Sequence, residues 1–116
     1  MTINAVTFVV ADPSSVARAM SDAFGWMLSQ DHGTFAEIVT GSIVIWLNGP
    51  SQETSALAEG VVLHVEVDDV RQATEQARKA GASILREPTL MDFGVESAYA
   101  QVPGGPVIDL MRTVTD

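Results

Sequence analysis

Apolar and polar positions along this chain fall into a pattern that occurs twice. Residues 5–12 read AVTFVVAD and residues 61–69 read VVLHVEVDD, each an apolar run closed by Asp. Apolar residues then recur three and four apart: Val16, Ala19, Met20, Ala23 and Phe24 in one half, Val70, Ala73, Ala77 and Ala80 in the other. That spacing predicts one buried helix face in each half. Asp12-Pro13 and Asp68-Asp69 suit helix starts, because a carboxylate can accept from free N–H groups and Pro has none to leave unpaired. Gly25 and Gly81 suit the stops. Short β-rich runs follow each helix. The predicted strands are 2–11, 26–30, 35–39 and 42–47, then 61–67, 82–85, 96–102 and 107–111, with a tight turn at Thr40-Gly41. Residues 86–95 read as a loop. The order is βαβββ used twice, with a repeat of roughly 57 residues. The expected organisation is a single domain over 1–116, with modules at about 1–50 and 60–114 and a polar linker at 48–60 that holds one helical turn near Ser55–Glu59.

Composition narrows the function classes. At 116 residues the chain is long enough for a real core without covalent staples. The absence of Cys removes disulfides, thiolate chemistry and Cys-ligated metals. No run reaches the ~18 apolar residues of a membrane span, and no N-terminal targeting pattern is seen, so a cytoplasmic protein is expected. Net charge is −9, with only six Lys and Arg. Nucleic acids and anionic membranes need clustered cations, so neither is an expected partner. An acidic protein instead attracts cations.

The second half, from VEVDDVRQATEQARKAGASILREP to FGVESAYAQVPGGPVIDLM, resembles the vicinal oxygen chelate superfamily. That superfamily includes glyoxalase I, extradiol dioxygenases, fosfomycin-modifying enzymes and bleomycin-resistance proteins. The resemblance rests on a strand ending in Asp, a helix ending in Ala-Gly-Ala, a Gly-containing loop and a final hairpin. The family turn is commonly Asp-Pro-Asp-Gly, where this chain has Val102-Pro103-Gly104-Gly105. The first half resembles the same unit through Asp12-Pro13 and Ala23-Phe24-Gly25-Trp26. The resemblance implies an α+β fold: two βαβββ modules whose curved mixed sheets form a cup, helices outside.

Strand alternation then assigns faces. Val6, Phe8 and Val10, with Leu63, Val65 and Val67, are expected under the helices. Ala5, Thr7 and Val9, with Val62, His64 and Glu66, are expected to line the cup. On the closing strands the cup-facing set is read as Ile43, Ile45 and Leu47, then Val107, Asp109 and Met111. This parity sends Trp46 under a helix or into a subunit contact. Metal-binding relatives imply one ligand on each of four strands, and the matching positions here are Ala5, Ile45, Val62 and Asp109. Three of these carry no donor, so no metal and no cofactor is expected. A two-residue slip would place His64, Glu66 and Asp109 on one face as an alternative metal set.

Histidine is the side chain suited to proton transfer near neutral pH, and His64 lies mid-strand on the face expected to line the cup. An ordinary half-buried histidine is the bland reading; acid or base work is the functional one. Glu66 shares its face, and Asp109 interrupts the apolar run VIDLM, where an unpaired carboxylate is costly. Phe35, Phe93 and Tyr99 are candidate stacking residues, and Met91 an adaptable wall. The expected ligand contacts are Thr7, Ile45, Val62, His64, Glu66, Phe93, Asp109 and Met111. The leading expectation is a metal-free binding protein of the bleomycin-resistance type that sequesters an aromatic or cationic small molecule, acting as a homodimer. The alternative is a glyoxalase-like lyase, isomerase or hydrolase with His64, Glu66 and Asp109 as its catalytic set. A third reading is an accessory domain whose cup is filled by side chains.

Overall fold

The computed structural model describes residues 3–50, 61–91 and 94–114. Its first half holds β1 (Ala5–Val9), α1 (Pro13–Phe24), β2 (Met27–Asp31), β3 (Phe35–Val39) and β4 (Val44–Asn48). The second holds β5 (Val62–Glu66), α2 (Val70–Lys79), β6 (Ser83–Leu90), β7 (Val95–Gln101) and β8 (Val107–Thr113). Both helices start as their sequences require. The Asp12 carboxylate accepts from the Ser15 N–H with Pro13 in the first turn, and Asp69 accepts from Gln72 N–H. The first helix closes on Gly25 at φ 74°, whose N–H bonds the Ser21 carbonyl. The second caps at Ala80, one residue before Gly81 takes the left-handed conformation at φ 99°.

Each half forms a four-stranded mixed sheet, in the orders β1-β4-β3-β2 and β5-β8-β7-β6. The first and last strands of each half pair in parallel, β1 with β4 and β5 with β8. The remaining pairs are antiparallel. This is the α+β architecture of two βαβββ units, with unclosed sheets.

One face of each sheet is covered by its helix. Phe8, Met20, Ile38, Ile45 and Leu47 join Val70, Ala77, Ala98, Ile108 and Leu110 in a single buried cluster that runs through both halves. Non-directional burial of this apolar surface is the main force holding the halves together. The halves meet where α1 packs on α2 and where Gln76 Nε2 donates to the Asp22 carbonyl at 3.4 Å. The β7–β8 turn also rests on α1. A Cβ on Gly104 would stand 3.3 Å from Val16, and one on Gly105 would stand 2.9 Å from Val102. The glycine-rich departure from the Asp-Pro-Asp-Gly turn therefore has a steric reason: the turn of one half sits against the helix of the other.

Two sequence expectations need correction. Residues 86–90 continue β6 instead of forming a loop. This run is on the sheet edge, where Pro88 need not supply a ladder N–H, and it pairs through register irregularities on both sides of Arg86. The face assignment of β4 is also reversed. Ile45 and Leu47 are 1% and 0% exposed beneath α1, whereas Trp46 is 38% exposed on the open face. The physical reason lies in the indole N–H. On the open face Trp46 Nε1 donates to Glu37 at 2.8 Å, whereas under the helix it would need a partner among apolar side chains. The outer part of the expected linker, residues 51–60, lies outside the described residues.

Candidate functional site

Register brings chemically different strands into one row across the open face of the second sheet. His64 on β5 stands opposite Asp109 on β8. Asp109 stands opposite Tyr99 on β7, and Tyr99 opposite Arg86 on β6. The irregularity between Ile84 and Arg86 sets this last pairing, an example of a bulge re-aiming a side chain. Ser97 lies two residues before Tyr99 and so shares its face.

These side chains form a continuous hydrogen-bonded line. Arg86 Nη1 donates to Ser97 Oγ at 2.9 Å, Ser97 Oγ donates to Asp109 Oδ1 at 2.6 Å, and His64 Nδ1 meets Asp109 Oδ2 at 2.8 Å. Arg86 also lies over the Tyr99 ring, with its Cζ 3.9 Å from the centroid. Asp109 and Ser97 are buried, while the His64 side chain is 62% exposed. The arrangement answers the cost of a carboxylate in an apolar strand, since both oxygens of Asp109 are satisfied.

The chain of donors fixes proton positions by elimination. Arg86 has only donors and occupies a lone pair of the Ser97 hydroxyl, which turns its proton toward Asp109. Asp109 accepts on both oxygens, so His64 Nδ1 carries the proton. In neutral His64 the lone pair is then on Nε2, free to accept from a ligand.

The row borders a cavity of about 400 Å³, walled further by Met91, Val95 and Met111. A second cleft of about 430 Å³ runs between the halves, lined by Trp26, Thr40, Ile43, Ile45, Leu63 and Glu66 among others. His64 borders both cavities.

Of the sequence candidates, the structure gathers His64, Asp109 and Met111 around the first cavity. Glu66 stands opposite Met111, one step along the strand, and lines the second cleft. Ile45 reaches that cleft from the buried core and does not face the open side of its sheet. Thr7 is exposed opposite Trp46 on the other sheet, and Val62 pairs with Val107 and lines neither cavity. Phe93 lies outside the described residues. Sequence reasoning missed Arg86, which it left in a loop, and Ser97. The signal for Ser97 was its parity with Tyr99, opposite the strand that bears Asp109.

The donor set does not fit a divalent cation. Ala5 and Val62 offer no ligand atom, Ile45 is in the core, and both oxygens of Asp109 are engaged. The position that matches Asp109 in the first half is Trp46, because Thr7 pairs with Trp46 as His64 pairs with Asp109. An indole N–H is a donor only. Among the described residues no three His, Cys, Asp or Glu side chains converge as a metal-holding group, the set of His64, Glu66 and Asp109 included.

Comparison with known proteins agrees with this architecture. A solved structure described as a conserved domain protein is 26% identical and superposes with a TM-score of 0.85, covering 97% of this chain and 99% of its own. A glyoxalase-related enzyme from Fulvimarina pelagi is 17% identical at a TM-score of 0.82, covering 96% of this chain and 87% of its own. TioX from Micromonospora sp. ML1 is 19% identical at 0.77, covering 98% of this chain and 100% of its own. The latter two likenesses speak to fold alone. No curated protein matches the chain. The family model for the glyoxalase/bleomycin resistance protein/dioxygenase superfamily matches residues 2–106. Two βαβββ units, their register and this match together place the chain in that superfamily.

Proposed function

We propose that this chain is a metal-free small-molecule-binding protein, of the kind the bleomycin-resistance members represent, and that it takes an aromatic compound into the second-sheet cavity. The line Arg86–Ser97–Asp109–His64 carries this reading. It supplies fixed polar contacts on one wall, and Tyr99, Met91, Val95 and Met111 supply apolar surface around it. Few placed polar groups within an apolar wall are the usual make-up of a small-molecule pocket. The sequence left an aromatic or a cationic ligand open. Asp109 is buried with a donor on each oxygen, and the formal charge that borders the cavity with N–H groups to spare is Arg86. An aromatic acid is therefore favoured over an aromatic amine here. A homodimer in the cytoplasm, with neither nucleic acid nor membrane as partner, belongs to the same proposal. The test is calorimetric titration with matched benzoate-type and benzylamine-type series. Saturable binding of the acids that weakens about tenfold in Arg86→Ala, the scale of one lost charged contact, supports it. Equal binding of acids and amines, unchanged in Arg86→Ala, sinks it.

One observation favours a second reading. With Nδ1 held by buried Asp109, His64 presents Nε2 to the cavity as a general base, the arrangement that proton-transfer enzymes use. A pH-dependent turnover found by substrate screening and lost in His64→Ala would move the protein to the enzymes. Turnover retained in His64→Ala would remove His64 from that role.

A further inference from the structure

The open face of the first sheet holds a row built by the same pairing as the cavity row, with one carboxylate and no cation in it. Thr7 pairs with Trp46, Trp46 with Glu37, and Glu37 with Gln30, at the places held in the second sheet by His64, Asp109, Tyr99 and Arg86. A bulge between Leu28 and Gln30 brings two successive β2 side chains to one carboxylate. Ser29 Oγ donates to Glu37 Oε1 at 2.7 Å, Gln30 Nε2 donates to the same oxygen at 3.3 Å, and Trp46 Nε1 donates to Oε2 at 2.8 Å. All three donors are neutral. They hold the carboxylate in one place without cancelling its charge, and Oε2, with one donor, keeps capacity for another. They also keep it ionised: the Trp46 bond first, and the Ser29 bond next, hold its carboxyl below the usual range.

Among the described residues no cation answers this charge. Arg18 pairs with Asp31, Arg71 and Arg112 with Glu96, and Arg78 with Glu75 and Glu87. Arg86 belongs to the second sheet, and Lys79 ends α2. These six are all the Lys and Arg of the chain. The aromatic surface beside Glu37 is also unspent. The Trp46 ring is 38% exposed and lies 6.5 Å from Phe35, centroid to centroid, and Phe35 in turn stacks on His32. An oriented, uncompensated carboxylate beside an exposed indole is the pairing that recognises an organic cation, through charge and through the ring face.

We propose that Glu37 and Trp46, flanked by Phe35, form a second binding site, specific for a small organic ammonium ion. The site is separate from the cavity around Arg86 and stands or falls independently of the proposed function. The first sheet thus takes the cationic chemistry that the second sheet, with Arg86, does not.

The experiment is a titration of the ¹⁵N-labelled full chain with tetramethylammonium chloride at one fixed pH, with sodium chloride and tert-butanol as controls. The Trp46 indole N–H is the reporter, and the Trp26 indole is the internal reference. The expected result is a saturable shift of the Trp46 signal that neither control reproduces. Glu37→Gln keeps an oxygen for Trp46 and removes the charge, so the apparent affinity should drop about fivefold, the upper effect of one exposed charge. Arg86→Ala should leave the titration unchanged. A linear, non-saturating shift, an equal response to sodium chloride, or an unchanged titration in Glu37→Gln would each overturn the proposal. If Glu37→Gln is misfolded by its spectrum, Glu37→Asp, which retains the charge but withdraws it from the ring, must weaken binding; unchanged affinity there also overturns it.

Discussion

Asp109→Asn tests the proton assignment on which the cavity reading depends. The substitution keeps the shape and turns one acceptor into an NH₂ donor. Ser97 is buried and held by Arg86, so its hydroxyl proton still points at residue 109 and claims the amide oxygen. The NH₂ then faces His64 Nδ1, where the wild type has a carboxylate oxygen 2.8 Å away. Two donors cannot share that contact, so neutral His64 must change tautomer: Nδ1 becomes the acceptor and Nε2 the donor. The stability cost follows from the exchange. A bond to a charged acceptor contributes about 1.5–3 kcal/mol and a neutral one about 0.5–1.5. The His64 contact is exposed to solvent and adds little. Removing the buried charge returns part of the loss. A net destabilisation of about 1 kcal/mol is expected, or about 4 °C in Tm for 116 residues. Long-range ¹H–¹⁵N correlation of the imidazole nitrogens reads the tautomer directly, and urea unfolding reads the stability. A wild-type His64 with its proton on Nε2, or the same tautomer in both proteins, would refute the assignment. A loss above about 4 kcal/mol would show that Asp109 carries far more than two side-chain bonds.

Two further outcomes follow from packing and charge. Gly105→Ala drives a Cβ to 2.9 Å from Val102 and 3.4 Å from Val16, so it should cost about 1–3 kcal/mol by overpacking, measured by urea unfolding, whereas Gly→Ala at an open site at compatible φ would be neutral or stabilising. The Asp31 carboxyl is held below the usual carboxylate range first by the Ser14 hydroxyl, then by the Gly33 N–H, with Arg18 contributing less. Its folded-state value is depressed, so its contribution to stability is present above the ordinary carboxylate range and is lost as pH falls through the folded value. Ser14→Ala should raise that value toward the ordinary one, as read by a ¹³C carboxyl titration; an unmoved midpoint would remove Ser14 as the main cause.

Much of the fold was legible in the chain because its signals are local. Asp12-Pro13 and Asp69 start helices by capping N–H groups within three residues, and the spacing of Val16, Met20 and Ala23 fixes a buried face without knowledge of any partner. The repeat itself even held the correction to β4. Aligned, Val44-Ile45-Trp46-Leu47-Asn48 and Val107-Ile108-Asp109-Leu110-Met111 put Trp46 where Asp109 stands, and the register agrees. Assigning Ile43, Ile45 and Leu47 to the cup sent Trp46 to the other face by parity, although its N–H requires a partner that Glu37 supplies only on the open face.

Tertiary structure decided the site. That Asp109 would be satisfied, and by whom, depends on three other strands: Ser97 on β7, His64 on β5 and Arg86 on β6. Arg86 reaches the row only because an irregular edge strand carries it there, and edge bulges leave no strong period in sequence. The separation of His64 from Glu66 in hydrogen bonding has the same origin. Alternation puts both on one face, but pairing sets His64 against Asp109 and Glu66 against Met111, and hydrogen-bonding distance does not extend across that step. The sequence by itself therefore determined the two modules and their helices, since these follow from short-range periodicity and capping, and its motifs carried the resemblance to the family. The charge balance of each sheet face was set by register between strands up to 45 residues apart, which no local pattern encodes.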